Sequence, residues 1–192
     1  VVRLRVPDEG RIVFDDMVKG HIAVDVAELD DMVLRRADGM PTYNMAVVVD
    51  DHDMGVTHVL RGDDHLSNTP RQLLLLQALN LPAPEYGHLA LIVGSDGGPL
   101  SKRDGDLSLR ELRATGYLPN ALLNYLARLG HSYEQDRWME PAELAANFAL
   151  ERLGRAPARY DAAQLLHWQS EAVRHTDPQR LWEWMKPALR DW

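Results

Sequence analysis

The 192-residue sequence predicts an α/β fold with a parallel sheet, followed by an all-helical region. Three observations carry this reading. Two strand-like runs, "GVTHVLRG" and "YGHLALIVG", flank a helix that begins at "NTPRQLLLLQAL". Strand, helix, strand at that spacing is the pattern of a parallel crossover. After about residue 105 the apolar period becomes that of amphipathic helices, and no later run reads as a strand.

The elements follow in order. "VVRLRV", "RIVFDD" and "GHIAVDV" are short strand-type runs broken by "PDEG" and "MVKG". "MVLRRADGMPTY" reads as a strand entering a Gly-Pro turn. "NMAVVVDDHDM" fits a buried strand or a helix equally, because a short apolar run has no decisive period. Thr69 is expected as an N-cap with Pro70 at the first helical position, and the helix stops near "NLPAP". Further on, "LRELRATG" and "PNALLNYLARLG" are amphipathic, the second ended by Gly130. "PAELAANFAL" and "DAAQLLHWQSEAVRH" follow, with Asp161 as an N-cap, and Asp177 with Pro178 repeats that signature for the last helix. The expected boundary lies near 105–110, giving domains at 1–107 and 108–192.

Composition narrows the function classes. There are no cysteines, so disulfides, thiolate metal sites and a Cys nucleophile are excluded, and a cytoplasmic location fits best. No apolar run approaches the ~20 residues a membrane span needs. Residues 1–108 carry 10 Lys/Arg against 18 Asp/Glu, while residues 109–192 carry 11 of each. Such acidity argues against nonspecific nucleic-acid binding. The neutral, Arg-rich second part still has the means to present a local basic face to phosphate.

Three stretches hold chemistry. In "GGPLSKRDG", flanking glycines permit close backbone approach, and Ser101, Lys102 and Arg103 supply a hydroxyl and positive charge. A loop of this kind after a strand is placed to stabilise charge on a nucleotide phosphate; the alternative is an exposed basic turn. In "THVLRGDDHLSNTPRQ", Arg61 stands at the carboxyl end of a strand, where open α/β sheets bind ligands. Its alternative is local neutralisation by Asp63 and Asp64. In "DGMPTYNMAVVVDDHDM", the run Asp50, Asp51, His52, Asp53 has oxygen ligands but lacks the glycine and closing Glu of a calcium loop, so no metal site is assigned. Tyr43 is either core or a hydroxyl offered to a pocket. His21 and His88 read as partly buried structural histidines, and His167 beside Trp168 reads as packing.

Taken together and in this order, the stretches resemble the catalytic core of bacterial glutamyl-tRNA synthetases, which are class I aminoacyl-tRNA synthetases. "PTYNMAVVVDDHDMGVTHVLRGDDHLSNTPRQ" is similar to that family's substrate-pocket block. "LSKRDG" is similar to its KMSKR-type loop, and "SLRELRATGYLPNALLNYLARLG" to its stem-contact helices. The resemblance implies the C-terminal half of a Rossmann-like catalytic domain followed by a helical stem-contact domain. It implies a ligase that activates glutamate with ATP and Mg2+ and transfers it to the 3′ end of tRNA-Glu. Catalysis would fall to Lys102, with Leu100, Ser101, Arg103, Asp64 and His65 around the ATP, and Tyr43 and Arg61 on the glutamate. The intact enzyme would be a cytoplasmic monomer with no structural metal, and would need tRNA even for pyrophosphate exchange. Arg61 prefers glutamate over glutamine, because a guanidinium pairs bidentately with a carboxylate and is left unmatched by an amide.

Two departures stand out. The first lysine of the signature loop is replaced, as the pattern runs Pro99, Leu100, Ser101, Lys102, Arg103, and Asp104 stands where His is common. No HIGH-type motif accompanies it; "HIAV" at His21 has Ala23 where the glycine belongs. The expectation is therefore a middle fragment that does not aminoacylate alone. The alternatives are a glutaminyl-type enzyme, a paralogous tRNA-modifying synthetase and a non-catalytic RNA-binding module.

Overall fold

The computed structural model describes residues 1–94, 96–98, 100 and 108–189. The chain forms two compact units, Val1–Leu89 and Ala90–Trp192. The first unit runs β1 (Val2–Arg3), β2 (Arg11–Asp16), β3 (Gly20–Asp25), β4 (Val33–Arg35), α1 (Tyr43–Asp53), β5 (His58–Gly62), α2 (Thr69–Ala78) and β6 (Glu85–Leu89). β1 and β4 form a small antiparallel pair. The main sheet has four strands in the order β3-β2-β6-β5. β5 and β6 are parallel, as the strand–helix–strand spacing predicts, and their register sets Arg61 beside His88.

β2 and β3 form a hairpin in register from Arg11↔Asp25 to Asp16↔Gly20. Its turn is built by one side chain. Asp16 Oδ1 accepts from the amides of Val18 at 2.9 Å and Lys19 at 2.8 Å, and Gly20 at φ 84° takes the left-handed position that closes it. The hairpin joins the rest of the sheet at a narrow place: the Asp16↔Tyr86 bridge and a 2.8 Å bond from the Met17 amide to the Tyr86 carbonyl.

The ambiguous run after Tyr43 is a helix. Met45 and Val48 lie three apart and meet Leu75 and Leu76 of α2, and this packing outweighs the strand preference of three consecutive valines. Thr69 does not act as the N-cap expected of it. It is already inside α2 with Asn68 before it, and its hydroxyl is engaged by Arg61 and His88.

The second unit runs β7 (Ile92–Val93), α3 (Leu109–Ala114), α4 (Pro119–Leu129), α5 (Pro141–Ala146), β8 (Ala158–Arg159), α6 (Ala162–His175) and α7 (Pro178–Leu189). It is not purely helical. β7 and β8 pair in parallel, a two-residue match too short to leave a periodic signal. That pairing ties the strand after Leu89 to the second unit, which begins at Ala90.

The expected Asp caps are present: Asp161 accepts from Ala163 and Gln164, and Asp177 from Gln179 and Arg180. Ser108 caps α3: its hydroxyl accepts from the Glu111 amide and donates to the Glu111 carboxylate. The core lies between α4 and α6, where Ala121 and Tyr125 meet Leu165, Trp168 and Ala172. The Arg128 guanidinium lies 4.0 Å from the centre of the buried Trp168 ring, while His167 is exposed and meets that ring edge-on with centres 5.0 Å apart. On α7, Trp184 packs against this core while Trp182 is exposed.

Leu165 is 1% exposed and Leu166 is 58% exposed, which makes the pair a test of this packing. Leu165→Ala should destabilise the protein by about 2–5 kcal/mol, and Leu166→Ala by less than about 0.5 kcal/mol. Urea unfolding of the two variants checks it.

Candidate active site

The carboxyl end of β5 carries Arg61, and the folded unit gathers acceptors around it from two other elements. Arg61 Nε donates to His88 Nε2 at 3.1 Å on the adjacent strand β6. Arg61 Nη2 donates to Thr69 Oγ1 and to Gln72 Oε1, both at 2.8 Å, on α2. Gln72 Nε2 donates in turn to Asn44 Oδ1 at 3.0 Å, on the first turn of α1. The Tyr86 ring lies against the guanidinium, 5.4 Å from its central carbon.

Asp63 and Asp64 do not neutralise Arg61. Asp63 bonds Lys19 Nζ at 2.8 Å, a partly buried ion pair that fastens the β2–β3 turn to the segment before α2. Asp64 is 3.8 Å from its neighbour His65. Among the described residues Arg61 has no carboxylate partner, and Nη1 donates to none of them. A partly buried cation held by neutral acceptors, with one nitrogen unspent, is suited to an anionic ligand. The bidentate pairing expected from sequence is narrowed here. Nε–H and the Nη2 hydrogens are engaged by the protein, so a carboxylate meets Nη1 first.

His88 is not partly buried but fully buried, and so is the Asp16 side chain beside it. Asp16 Oδ2 lies 2.5 Å from His88 Nδ1, and Asp16 Oδ1 accepts from the His88 amide at 3.2 Å. Burial pushes the Asp16 carboxyl up. Hydrogen bonds from the Lys19 amide, the His88 ring and the amides of Val18 and His88 outweigh it, and the group ends below the usual carboxylate value. Burial is also what raises the Tyr86 hydroxyl, opposed by the nearby Arg61 charge.

The other candidates fall as follows. Tyr43 opens α1 beside Asn44, is 52% exposed, and stacks on His65 with ring centres 5.8 Å apart. Asp64 lines a hollow of about 540 Å³ with Ile22, Val24 and Arg71, which Arg61 does not line. Leu100 is exposed at the surface. Ser101, Lys102 and Arg103, and with them Pro99 and Asp104, lie outside the described residues. Just before them the Gly94 amide donates to the Gly98 carbonyl and the Gly97 amide to the Gly94 carbonyl, with Gly97 at φ 83° and Asp96 accepting from the Gly98 amide. His52 bonds its neighbour Asp53, and among the described residues no three metal-ligating side chains converge. No described helix is long and apolar enough to cross a membrane.

Sequence reading missed Asp16, Gln72 and Asn44, and undervalued Thr69 and His88. Nothing in "FDDMVKG" separates Asp16 from Asp15, since only the sheet brings it to His88, 72 positions on.

A mixed α/β sheet with a parallel β5–β6 crossover and an arginine at a strand's carboxyl end fits a class I synthetase catalytic domain, and known proteins agree. Solved glutamate-tRNA synthetase from Elizabethkingia anophelis superposes with TM-score 0.88 at 32% identity, covering 98% of this chain and 42% of that one. A glutamate tRNA ligase from Elizabethkingia meningosepticum, solved in complex with its amino acid, gives TM-score 0.89 at 32% identity, with 98% and 41% covered. Among curated proteins, glutamate–tRNA ligase 2 of Nitrosococcus oceani is 55% identical over 97% of this chain. The glutamate–tRNA ligase of Nitratidesulfovibrio vulgaris is 55% identical over 94%. Residues 1–167 match the family described as tRNA synthetases class I (E and Q), catalytic domain, and the chain belongs to that family. It spans about 40% of the length of the curated relatives it matches.

A folded Asp16 with a lowered pKa adds stability above the unfolded carboxyl value, about 3.9, and loses it as the pH falls through the folded one. Asp16→Asn should therefore cost about 1–3 kcal/mol at pH 7, the worth of charge-assisted bonds. The gap between wild type and variant should shrink below about pH 4, as read from urea midpoints across pH.

Proposed function

We propose that the intact protein is a glutamate–tRNA ligase. It joins the α-carboxylate of glutamate to the α-phosphate of ATP, carried with Mg2+, and releases pyrophosphate. The glutamyl group then passes to the terminal ribose of tRNA-Glu and AMP leaves. The observation that carries this reading is Arg61, a partly buried cation with no carboxylate partner among the described residues and with Nη1 unspent. The names of relatives 51–55% identical to the chain support the amino acid and the tRNA.

In this reading Arg61 takes the side-chain carboxylate of glutamate, and Tyr43 helps orient it. An amide in place of that carboxylate leaves the guanidinium without a counter-charge, which favours glutamate over glutamine. Lys102 stabilises charge building on the α-phosphate, with Leu100, Ser101 and Arg103 along the nucleotide. Asp64 and His65 stand nearer the ATP or the tRNA end. Residues 1–107 act as part of the catalytic domain and 108–192 as the stem-contact region. The absence of cysteine suits work in the reducing cytoplasm.

The test uses the intact enzyme with tRNA present. Arg61→Gln should lower kcat/KM for glutamate in pyrophosphate exchange by about a hundredfold or more, the worth of two charge-assisted hydrogen bonds. Near-normal exchange would sink the assignment. Lys102→Ala should lower kcat by about a hundredfold or more, as loss of a transition-state contact does. An unchanged kcat would remove Lys102 from catalysis.

A further inference from the structure

We propose that the buried Asp16–His88 pair is a positioning device that aims Arg61 at the substrate carboxylate by fixing the tautomer of His88. This rests on the reading that Arg61 binds glutamate. Neither Asp16 nor His88 can touch the amino acid, because both side chains are fully buried. Their effect passes through one atom, His88 Nε2.

The hydrogen-bond roles around the ring are mutually determined. The Asp16 carboxylate has no proton to give, so His88 Nδ1 carries the hydrogen and donates to Oδ2 at 2.5 Å. Nε2 then offers a lone pair. The Arg61 Nε–H donates to it at 3.1 Å, and the Thr69 hydroxyl, 3.0 Å away, turns its own hydrogen towards it. That turn leaves a Thr69 oxygen lone pair for Arg61 Nη2 at 2.8 Å. Gln72 takes the other Nη2 hydrogen. Three neutral acceptors thus hold one edge of the guanidinium, and Nη1 is the corner left over. With the opposite tautomer, His88 Nε2–H would face Arg61 Nε–H, donor against donor. The Thr69 hydroxyl would lose its acceptor as well, and the planar fork would be released from its set orientation.

Asp16→Asn tests this directly because of how Asp16 is bonded. Its Oδ1 receives the amides of Val18, Lys19 and His88, while Oδ2 receives only the His88 ring. An asparagine keeps its oxygen towards the three amides, since a flip would set its NH2 against three donors. The NH2 then replaces Oδ2 and donates to Nδ1, which moves the ring proton to Nε2. The backbone bonds stay and the tautomer inverts.

The experiment measures two things on the intact, histidine-15N-labelled protein. In the wild type, the 15N shifts of His88 should report a proton on Nδ1 and a bare Nε2; in Asp16→Asn they should exchange. Kinetically, Asp16→Asn should raise KM for glutamate about tenfold to a hundredfold, as loss of a hydrogen bond to a charged group does, with KM for ATP unchanged. A wild-type His88 protonated on Nε2 overturns the proposal, and this result needs no variant, should Asp16→Asn fail to fold. An inverted tautomer with an unchanged glutamate KM also overturns it. Arg61→Lys, run alongside, separates the two levels. If it leaves the glutamate KM unchanged, the reading of Arg61 itself falls. If it raises KM and Asp16→Asn does not, only the positioning role falls.

Discussion

Asp16 and His88 meet at 2.5 Å with neither side chain reaching solvent, and much of the first unit is arranged around that contact. Burying a carboxylate costs several kcal/mol unless its oxygens are satisfied. Here one oxygen takes three backbone amides and the other takes an imidazole. The same side chain therefore builds the β2–β3 turn, reinforces the narrow join between β2 and β6, and sets the state of the ring beside Arg61. Removing it disturbs a turn, a sheet junction and the hydrogen bonding around Arg61 together.

The polar path that starts at Asp16 crosses the unit. It runs through His88 on β6 and Arg61 on β5 to Thr69 and Gln72 on α2, and ends at Asn44 on α1. Every step joins a donor to an acceptor, as a network in a low-dielectric setting requires. Beside it, Val48 on α1 packs against Leu75 and Leu76 on α2. The apolar contacts hold the helices in place and the polar ones orient a single guanidinium. Because those acceptors are neutral, the charge on Arg61 remains available for a ligand, where an internal carboxylate would have consumed it.

The second unit is stabilised differently. Its core is a helix pair filled by aromatic and small side chains, and its caps are local, each made by a residue within three positions of its partner. Such features are set by neighbours along the chain, which is why they were legible. Asp161, Asp177 and Gly130 each stand where sequence reading put them. The β7–β8 pair was not, since its partners are 66 residues apart and each strand is two residues long.

By itself the sequence determined the α/β class, the parallel β5–β6 crossover, the helical second part and the place of Arg61 at a strand's carboxyl end. These follow from periodicity, capping chemistry and a position at a strand's end, all of which are local. It also carried the resemblance to glutamyl-type synthetases, through long blocks rather than single residues. Only the tertiary structure decided that the run after Tyr43 is a helix, that Thr69 serves Arg61 instead of capping α2, and that Asp63 belongs to Lys19. Only it separated Asp16 from Asp15. The reason is the same in each case: a polar side chain's role depends on which donors and acceptors are left near it once strands distant in sequence have paired, and no local pattern encodes that.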